Sequence, residues 1–566
     1  MNLPKAGRWK KSFDSDMIGS ASFNNHNMNR LTCLLLVIFG SFTLNAQDRD
    51  ISYLSSGGKI KPLQAIMDVR HYTLSLDIDV ANKSIAGFTE IDVILAEASD
   101  SLLFDLLHFY KVSRVSVDKK QQTVSQVHDS VFIIGSKTFA SGRHKVRIEY
   151  SGIPPVAVHP PWEGGFTWSH DSHNNPWVVI NCQLEGGKIY FPCKDHPSDE
   201  PNEGVDLFIT VPAGLTVAGP GLLREVSKPK NGKQTFHWKT SYTISNYCIV
   251  FNVAKYAVVS GVFTTIENHQ VPVQFYSLVD DTARAAHLIT LRIRDAHILE
   301  KYFGEYPWAK EKMGIAQVPN PGMEHQTMIT YGDSMPPVKH AGFEYSDNLF
   351  HEFTHEWWAN KVTNIDWAHF WIQEGIATYA DALFFREMQG EKGYDSIMVQ
   401  TKSSIRNQVP VVMGEGLNSA ETYNGDIYSK GAFFMHSLRY VLGDSLFFPA
   451  LKRLSTDVVY PYDRFLSTDD VEKHFSAAAG LNLKPYFDFF LRTNNTLDIQ
   501  VRQVRSGVFA IYSENSPMDL PLDVLTDHGT EHLELKPGRN KGARIKSSTW
   551  PVVDPRGWYF KRVINY

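Results

Sequence analysis

Hydrophobic and polar residues alternate over long stretches of the first half of the chain. Tyr72, Leu74, Leu76, Ile78 and Val80 are separated by Thr73, Ser75, Asp77 and Asp79, the period-two pattern of a strand with one buried face. Val146, Ile148 and Tyr150 repeat it until Gly152-Ile153-Pro154-Pro155 breaks it, and residues 207–211 and 248–253 are short apolar runs between turn-rich stretches. This half therefore predicts an antiparallel β domain, assigned to residues 47–255. It contains neither a dinucleotide-binding nor a phosphate-loop glycine signature.

The period then becomes helical. Leu349, Phe350, Phe353 and Trp357 fall on one helix face behind Ser346 and Asp347 as candidate caps. A second helix is expected over 372–388, ending before Gly390, and a third over 428–440, stopping at Gly443. Alternation returns with Ile499, Val501 and Val504, and with 508–512. The turns Asp527-His528-Gly529 and Lys536-Pro537-Gly538 then break up the tail. The expected fold class is multidomain α+β: a β domain, a mainly helical domain over 256–496 and a small β-sandwich over 497–566.

Residues 1–46 are expected to stand apart. The apolar run 31–44 is too short for a membrane helix of ~20 residues. With Arg30 before it and Leu44-Asn45-Ala46 after it, it reads as a secretory signal peptide cleaved near Ala46. The alternative is an uncleaved anchor, against which stands the absence of a stop-transfer flank. Residues 1–27 are polar and patternless, so translation is expected to begin at Met28. No other stretch is apolar enough for a stable membrane span. The destination implied is periplasmic or secreted.

Composition adds limits rather than a function. The 566 residues carry 56 Lys+Arg against 61 Asp+Glu, a net charge of −5, with 43% hydrophobic and 21% charged residues. These are globular values, and with no basic block they argue against a nucleic-acid partner. Loss of 1–46 removes five cations and two anions, so the mature chain carries −8. It keeps Cys182, Cys193 and Cys248, none in a CxxC pair, which makes a cysteine metal site improbable.

The chemistry is carried by His351-Glu352-Phe353-Thr354-His355, with Glu374 nineteen residues after the second histidine. Histidines at i and i+4 leave the same helix face and form a two-nitrogen clamp for one metal ion. Glu352 projects beside such an ion and is placed to take a proton from water. Glu374, from the next helix, supplies a third ligand. Three protein ligands plus an open position describe a catalytic rather than a structural zinc site, so one Zn2+ is expected. Phe350, Phe353, Trp357 and Trp358 make the surroundings apolar. A buried His/Glu/His face without a ligand would leave several polar groups unpaired.

Residues 351–379 resemble the zinc-binding core of the gluzincin aminopeptidases, the family of aminopeptidase N and leukotriene hydrolase. Pro321-Gly322-Met323-Glu324-His325 resembles the family's Gly-x-Met-Glu-Asn exopeptidase motif. Tyr428-Ser429-Lys430-Gly431 resembles the Tyr-x-Lys-Gly segment with the catalytic tyrosine. Asn181-Cys182-Gln183 followed by Pro192-Cys193 resembles the N-terminal segment that reaches the active site. Order and spacing agree across about 250 residues, and the flanking β regions agree in position. The resemblance implies a thermolysin-like catalytic domain at 256–496 and a zinc aminopeptidase acting on peptides with a free N-terminus. Its length leaves no room for the long helical C-terminal domain of larger members, so a more open cleft is expected.

The resemblance also implies roles. Glu352 is the base and Tyr428 the donor to the oxyanion. Glu324 and Gln183 bind the substrate's α-ammonium group, and Gly322 and Met323 line the substrate. Three positions depart from the family pattern. Pro321 replaces a glycine and has no amide hydrogen. His325 replaces an asparagine, altering the hold on its loop or adding a donor near the cleft. Gln183 is neutral where some members carry a glutamate, as in the leukotriene-hydrolase variant. The rival readings are an endopeptidase or epoxide hydrolase on the same scaffold, and a non-catalytic binding protein. The motifs leave open the side-chain preference and the native metal.

Overall fold

The computed structural model describes residues 54–332, 336–340, 342–457, 465–538 and 542–566; the expected export segment at 1–46 lies outside them. The alternating segment of the first half forms the strand Met67–Asp79, whose Tyr72, Leu74, Leu76 and Ile78 are all buried. It lies inside an eight-stranded sheet, between Ser84–Leu95 and Val205–Pro212. The pairing with Val205–Pro212 is parallel, with Tyr72 opposite Val205, so the sheet is mixed rather than wholly antiparallel. Between these two strands the chain makes the hairpin Gly165–His170 and Pro176–Asn181. The second strand of that hairpin is almost wholly buried and ends at Asn181, two residues before Gln183, whose amide reaches Glu324.

The apolar run 248–253 is not one strand. It divides into a 3-10 turn at Asn246–Cys248 and a short strand at Asn252–Ala254. Burial, not pairing, accounts for its composition, and a continuous apolar run does not distinguish the two. The helical half likewise opens on a sheet that periodicity does not reveal. Tyr256–Thr264, Gln270–Leu278, Met313–Val318 and Ile329–Gly332 lie side by side, the last two pairings parallel. All six residues of Met313–Val318 are buried, and a strand covered on both faces has no alternation to read.

Four helices matter for the site: α1 (Thr282–Phe303), α2 (Asp347–Thr354), α3 (Trp371–Gln389) and α4 (Asp426–Leu442). Helices α3 and α4 begin and end within two residues of expectation, and Gly390 and Gly443 cap them. Helix α2 stops sooner than the pattern predicts. His355 is its C-cap, and Trp357 lies past the helix end. Trp357 and Trp358 are buried because α1's end receives the Trp357 indole, which donates to the Gly304 carbonyl at 3.0 Å. His355 keeps helical angles (φ −63, ψ −16), so the i, i+4 relation survives.

Beyond residue 497 lie a four-stranded and a three-stranded sheet. Trp558 from this region stacks between His436 of α4 (centroids 4.5 Å apart) and Tyr440 (4.9 Å). Arg556 pairs with Glu391 at 2.8 Å and Asp395 at 2.6 Å. Burial pushes the His436 imidazole down to about 3. An unfolded histidine protonates near pH 6.5. Protonation therefore favours the unfolded chain as pH falls from about 6.5 towards 3, and stability is lost in that window. Urea unfolding at pH 7 and pH 5 should show this loss reduced in His436→Phe, by about 2 kcal/mol relative to the wild type.

Candidate active site

The site is assembled on α2. Ser346 caps it by accepting the Leu349 N–H, and Asp347 occupies its first turn, where a negative charge suits the helix dipole. One turn further on, His351 and His355 leave the same face, and their Nε2 atoms lie 3.1 Å apart. Glu374 in the first turn of α3 brings Oε2 to 3.4 Å from His351 Nε2 and 3.3 Å from His355 Nε2. The three sequence-predicted ligand atoms thus converge from two helices.

His355 Nδ1 donates to the Trp358 carbonyl at 2.7 Å. That bond assigns the ring hydrogen to Nδ1 and turns the Nε2 lone pair to the cluster. Glu374 Oε2 is buried without a hydrogen-bond partner. Lone pairs converging in this way repel unless a cation lies among them. A tetrahedral zinc with bonds of ~2.0–2.1 Å needs ligand atoms roughly 3.3–3.4 Å apart, close to the spacing seen, so these residues fit the ion. Burial raises the Glu374 carboxyl, but the two imidazoles facing it outweigh burial and lower it to about 2.

Glu352 lies beside the cluster, and its Oε1 accepts from the Asn348 amide at 2.9 Å. Burial and the Glu324 carboxylate push it well above the usual carboxylate range. Glu324, Glu352 and His355 each place a ligand-type atom within 4.8 Å of the others, so the two carboxyl groups share one small volume. Gly322 runs against this group. A Cβ there would lie 2.6 Å from Asn348 Oδ1 and 3.0 Å from Glu352 Cγ, so its glycine is required by close approach. Met323 is buried, and its carbonyl accepts the Thr330 N–H at 2.9 Å.

Glu324 is 2% exposed. Its Oε1 accepts from the Gln183 amide and, at 2.8 Å, from the Tyr247 hydroxyl. Gln183 Nε2 also lies 3.5 Å from Glu374 Oε1, linking this carboxylate to the histidine cluster. Tyr428, in the first turn of α4, has its ring 6.1 Å from the His351 ring and its hydroxyl 3.2 Å from that of Tyr423. All nine residues singled out from the sequence therefore lie in or against one site.

Helices α3 and α4 meet at two glycines. A Cβ on Gly375 would fall 2.8 Å from Gly431 Cα, so backbone contact sets how near Tyr428 comes to Glu374. His325 does not reach the cleft as a donor. It is fully buried, both ring nitrogens lack hydrogen-bond partners, and burial pushes it down to about 3.

Sequence reasoning passed over Asn348, Tyr247, Tyr423 and Glu356. Asn348 lies four residues before Glu352, a helical spacing that could have revealed it. Glu356 holds the turn after His355 by accepting from Trp308 Nε1 at 2.7 Å and the Thr327 N–H at 3.0 Å. Tyr247 lies 77 residues from Glu324, and no local pattern connects them. Replacing Gly431 with Ala should force α3 and α4 apart. We expect about 1–3 kcal/mol of destabilisation in urea unfolding and a fall in kcat/KM of at least about tenfold.

Comparison with known proteins agrees with this geometry. The chain is 21% identical over 447 residues to the yeast (Saccharomyces cerevisiae) protein "Aminopeptidase 2, mitochondrial", covering 75% of this chain and 46% of that protein. It is 25% identical over 341 residues to mouse (Mus musculus) aminopeptidase B, covering 56% and 49%. The chain thus spans about half the length of these relatives. Among solved structures, a mutant M1 zinc metallopeptidase from Deinococcus radiodurans, bound to a Tyr-Ser-Ala substrate, superposes with a TM-score of 0.63. That match has 22% identity and covers 78% of this chain and 96% of that one. The peptidase M1 N-terminal domain is matched over residues 69–248 and the peptidase family M1 domain over 292–490. With both matched in order across more than half of its length, the chain belongs to peptidase family M1.

Proposed function

We propose that this protein is a zinc aminopeptidase that removes N-terminal residues from peptides. The observation that carries the reading is the pairing of two features in one pocket. One is a three-donor metal clamp with a carboxyl base beside it; the other is a buried carboxylate, Glu324, that shares that base's surroundings. An acceptor-only carboxylate so close to the reacting centre suits a substrate whose cationic end lies one residue from the scissile bond. The relatives named as aminopeptidases support the same reading.

One Zn2+ held by His351, His355 and Glu374 supplies Lewis acidity towards water and the scissile carbonyl. Glu324, with Gln183 beside it, binds the α-ammonium group, while Gly322 and Met323 border the substrate backbone. As water attacks the carbonyl carbon, Glu352 takes its proton and passes it to the leaving amine as the C–N bond breaks. The Tyr428 hydroxyl donates to the carbonyl oxygen as negative charge develops there. Burial and the nearby Glu374 carboxylate raise the Tyr428 phenol well above its ordinary value, which supports its action as a donor.

The domain division proposed is 47–255, a thermolysin-like unit at 256–496 and a β-sandwich at 497–566, supported by the strand and helix distribution. Export to the periplasm or secretion after cleavage near Ala46 is supported by the signal-like run at 31–44. No helix among the described residues is long and apolar enough to cross a membrane.

The purified mature chain should hydrolyse a panel of aminoacyl arylamides, and a chelator should abolish the activity. Equal cleavage of N-acetylated and free peptides would instead favour the endopeptidase reading. Flat, chelator-insensitive rates would sink the metal-dependent reading altogether. Glu352→Gln should retain zinc and lose about 10²–10⁴-fold in kcat. Tyr428→Phe should lose about 10²–10³-fold in kcat, with KM changed far less.

A further inference from the structure

Glu324 is held in place by more than its own backbone. Its carbonyl accepts from Asn360 Nδ2 at 2.8 Å, which fixes the main chain but leaves the carboxylate free to turn about its side-chain bonds. What stops that rotation comes from the N-terminal half of the molecule. The Tyr247 hydroxyl donates to Glu324 Oε1 at 2.8 Å, and the Gln183 amide donates to the same oxygen. Tyr247 is 4% exposed, and a carboxylate has no hydrogen to give, so the phenol is the donor. Burial and Glu324 both raise its pKa, which keeps that hydrogen in place.

The tyrosine is rigidly mounted. It sits in the 3-10 turn Asn246–Cys248, whose Asn246 donates to the Lys194 carbonyl at 2.8 Å. Lys194 in turn pairs with Asp199 at 2.8 Å. The Tyr247 ring lies 6.4 Å from that of Trp367, which precedes α3. The phenol hydroxyl therefore reaches Glu324 from a fixed lever.

We propose that Tyr247 is a positioning residue for recognition of the substrate's free N-terminus. With two donors on Oε1, the carboxylate presents Oε2 to the α-ammonium group, at one distance from the histidine cluster. Gln183 is neutral, so no second carboxylate from that segment compensates if Glu324 turns away. This inference rests on the aminopeptidase reading and adds to it a residue that touches neither the substrate nor the metal.

The test uses the zinc-loaded mature chain and two hydroxamates that differ only in the amine, leucine hydroxamate and 4-methylpentanoyl hydroxamate, with binding measured by calorimetry. Tyr247→Phe should weaken leucine hydroxamate about tenfold, the worth of one hydrogen bond to a charged group, and shift the amine-free ligand by less than about twofold. In a Glu324→Gln background, adding Tyr247→Phe should weaken leucine hydroxamate by less than about twofold more, because the tyrosine acts through that carboxylate. Equal weakening of both ligands, full multiplication of the two losses, or unchanged leucine hydroxamate binding would each overturn the proposal. If Tyr247→Phe fails to fold, Tyr247→His, whose shorter ring cannot reach Glu324, is read in the same way. A wild type that does not hydrolyse aminoacyl arylamides defeats the aminopeptidase reading itself. A wild type that does, with a Tyr247→Phe variant that still discriminates the amine as well as the wild type, defeats only the role of Tyr247.

Discussion

Three lone pairs held within 3.4 Å of one another, on two buried side chains and the partly exposed His351, are the constraint around which the helical half is built. Left to themselves, His351, His355 and Glu374 would avoid this arrangement. They are kept in it by the N-cap of α2, the backbone contact of Gly375 with Gly431 and the Trp358 carbonyl that takes the His355 ring hydrogen. The protein spends packing energy to hold an electrostatically unfavourable cluster, and a divalent cation turns that cost into binding affinity. Preorganisation of this kind is what lets a metal site keep an open position without collapsing around it.

The same economy governs the carboxyl groups. Glu324, Glu352, Glu356 and Glu374 are all buried, and each is distinguished by its partners. Glu374 faces imidazoles and is held low. Glu356 accepts from Trp308, Asn360 and the Thr327 backbone and serves the turn behind His355. Glu352 has one amide donor and a carboxylate neighbour and is held high. Glu324 takes two donors on one oxygen. Four chemically identical side chains thus acquire four electrostatic environments from burial and their neighbours.

The joint between the halves runs through the candidate site. Gln183 and Tyr247 come from the β-rich half, while Glu324 lies between the strands Met313–Val318 and Ile329–Gly332 of the sheet that opens the helical half. The surroundings of Glu324 are therefore a property of the assembled chain, whereas the three converging ligand atoms come from α2, its C-cap and α3. The C-terminal sheets are tied to the opposite end of α4 through Trp558.

What could be read from the chain alone follows from the reach of local rules. The i, i+4 histidines, the base between them and the ends of α3 and α4 are written in helical periodicity and glycine caps, because backbone geometry fixes them over a few residues. The tyrosine segment and the Gly322-Met323-Glu324 motif were legible through family resemblance. The buried strand Met313–Val318, the parallel pairing of Met67–Asp79 and the early end of α2 were not. Burial on both faces erases alternation, and a helix end can be decided by an indole docking 53 residues away. The sequence by itself pointed to the residues that converge, His351, His355, Glu374 and Glu352, and to a β-rich half before a helical one. Only the tertiary structure decided that Tyr247 holds Glu324, that His325 is buried away from the cleft, and that Gly375 meets Gly431. Each of these depends on contacts between distant segments, which packing sets and spacing along the chain does not encode.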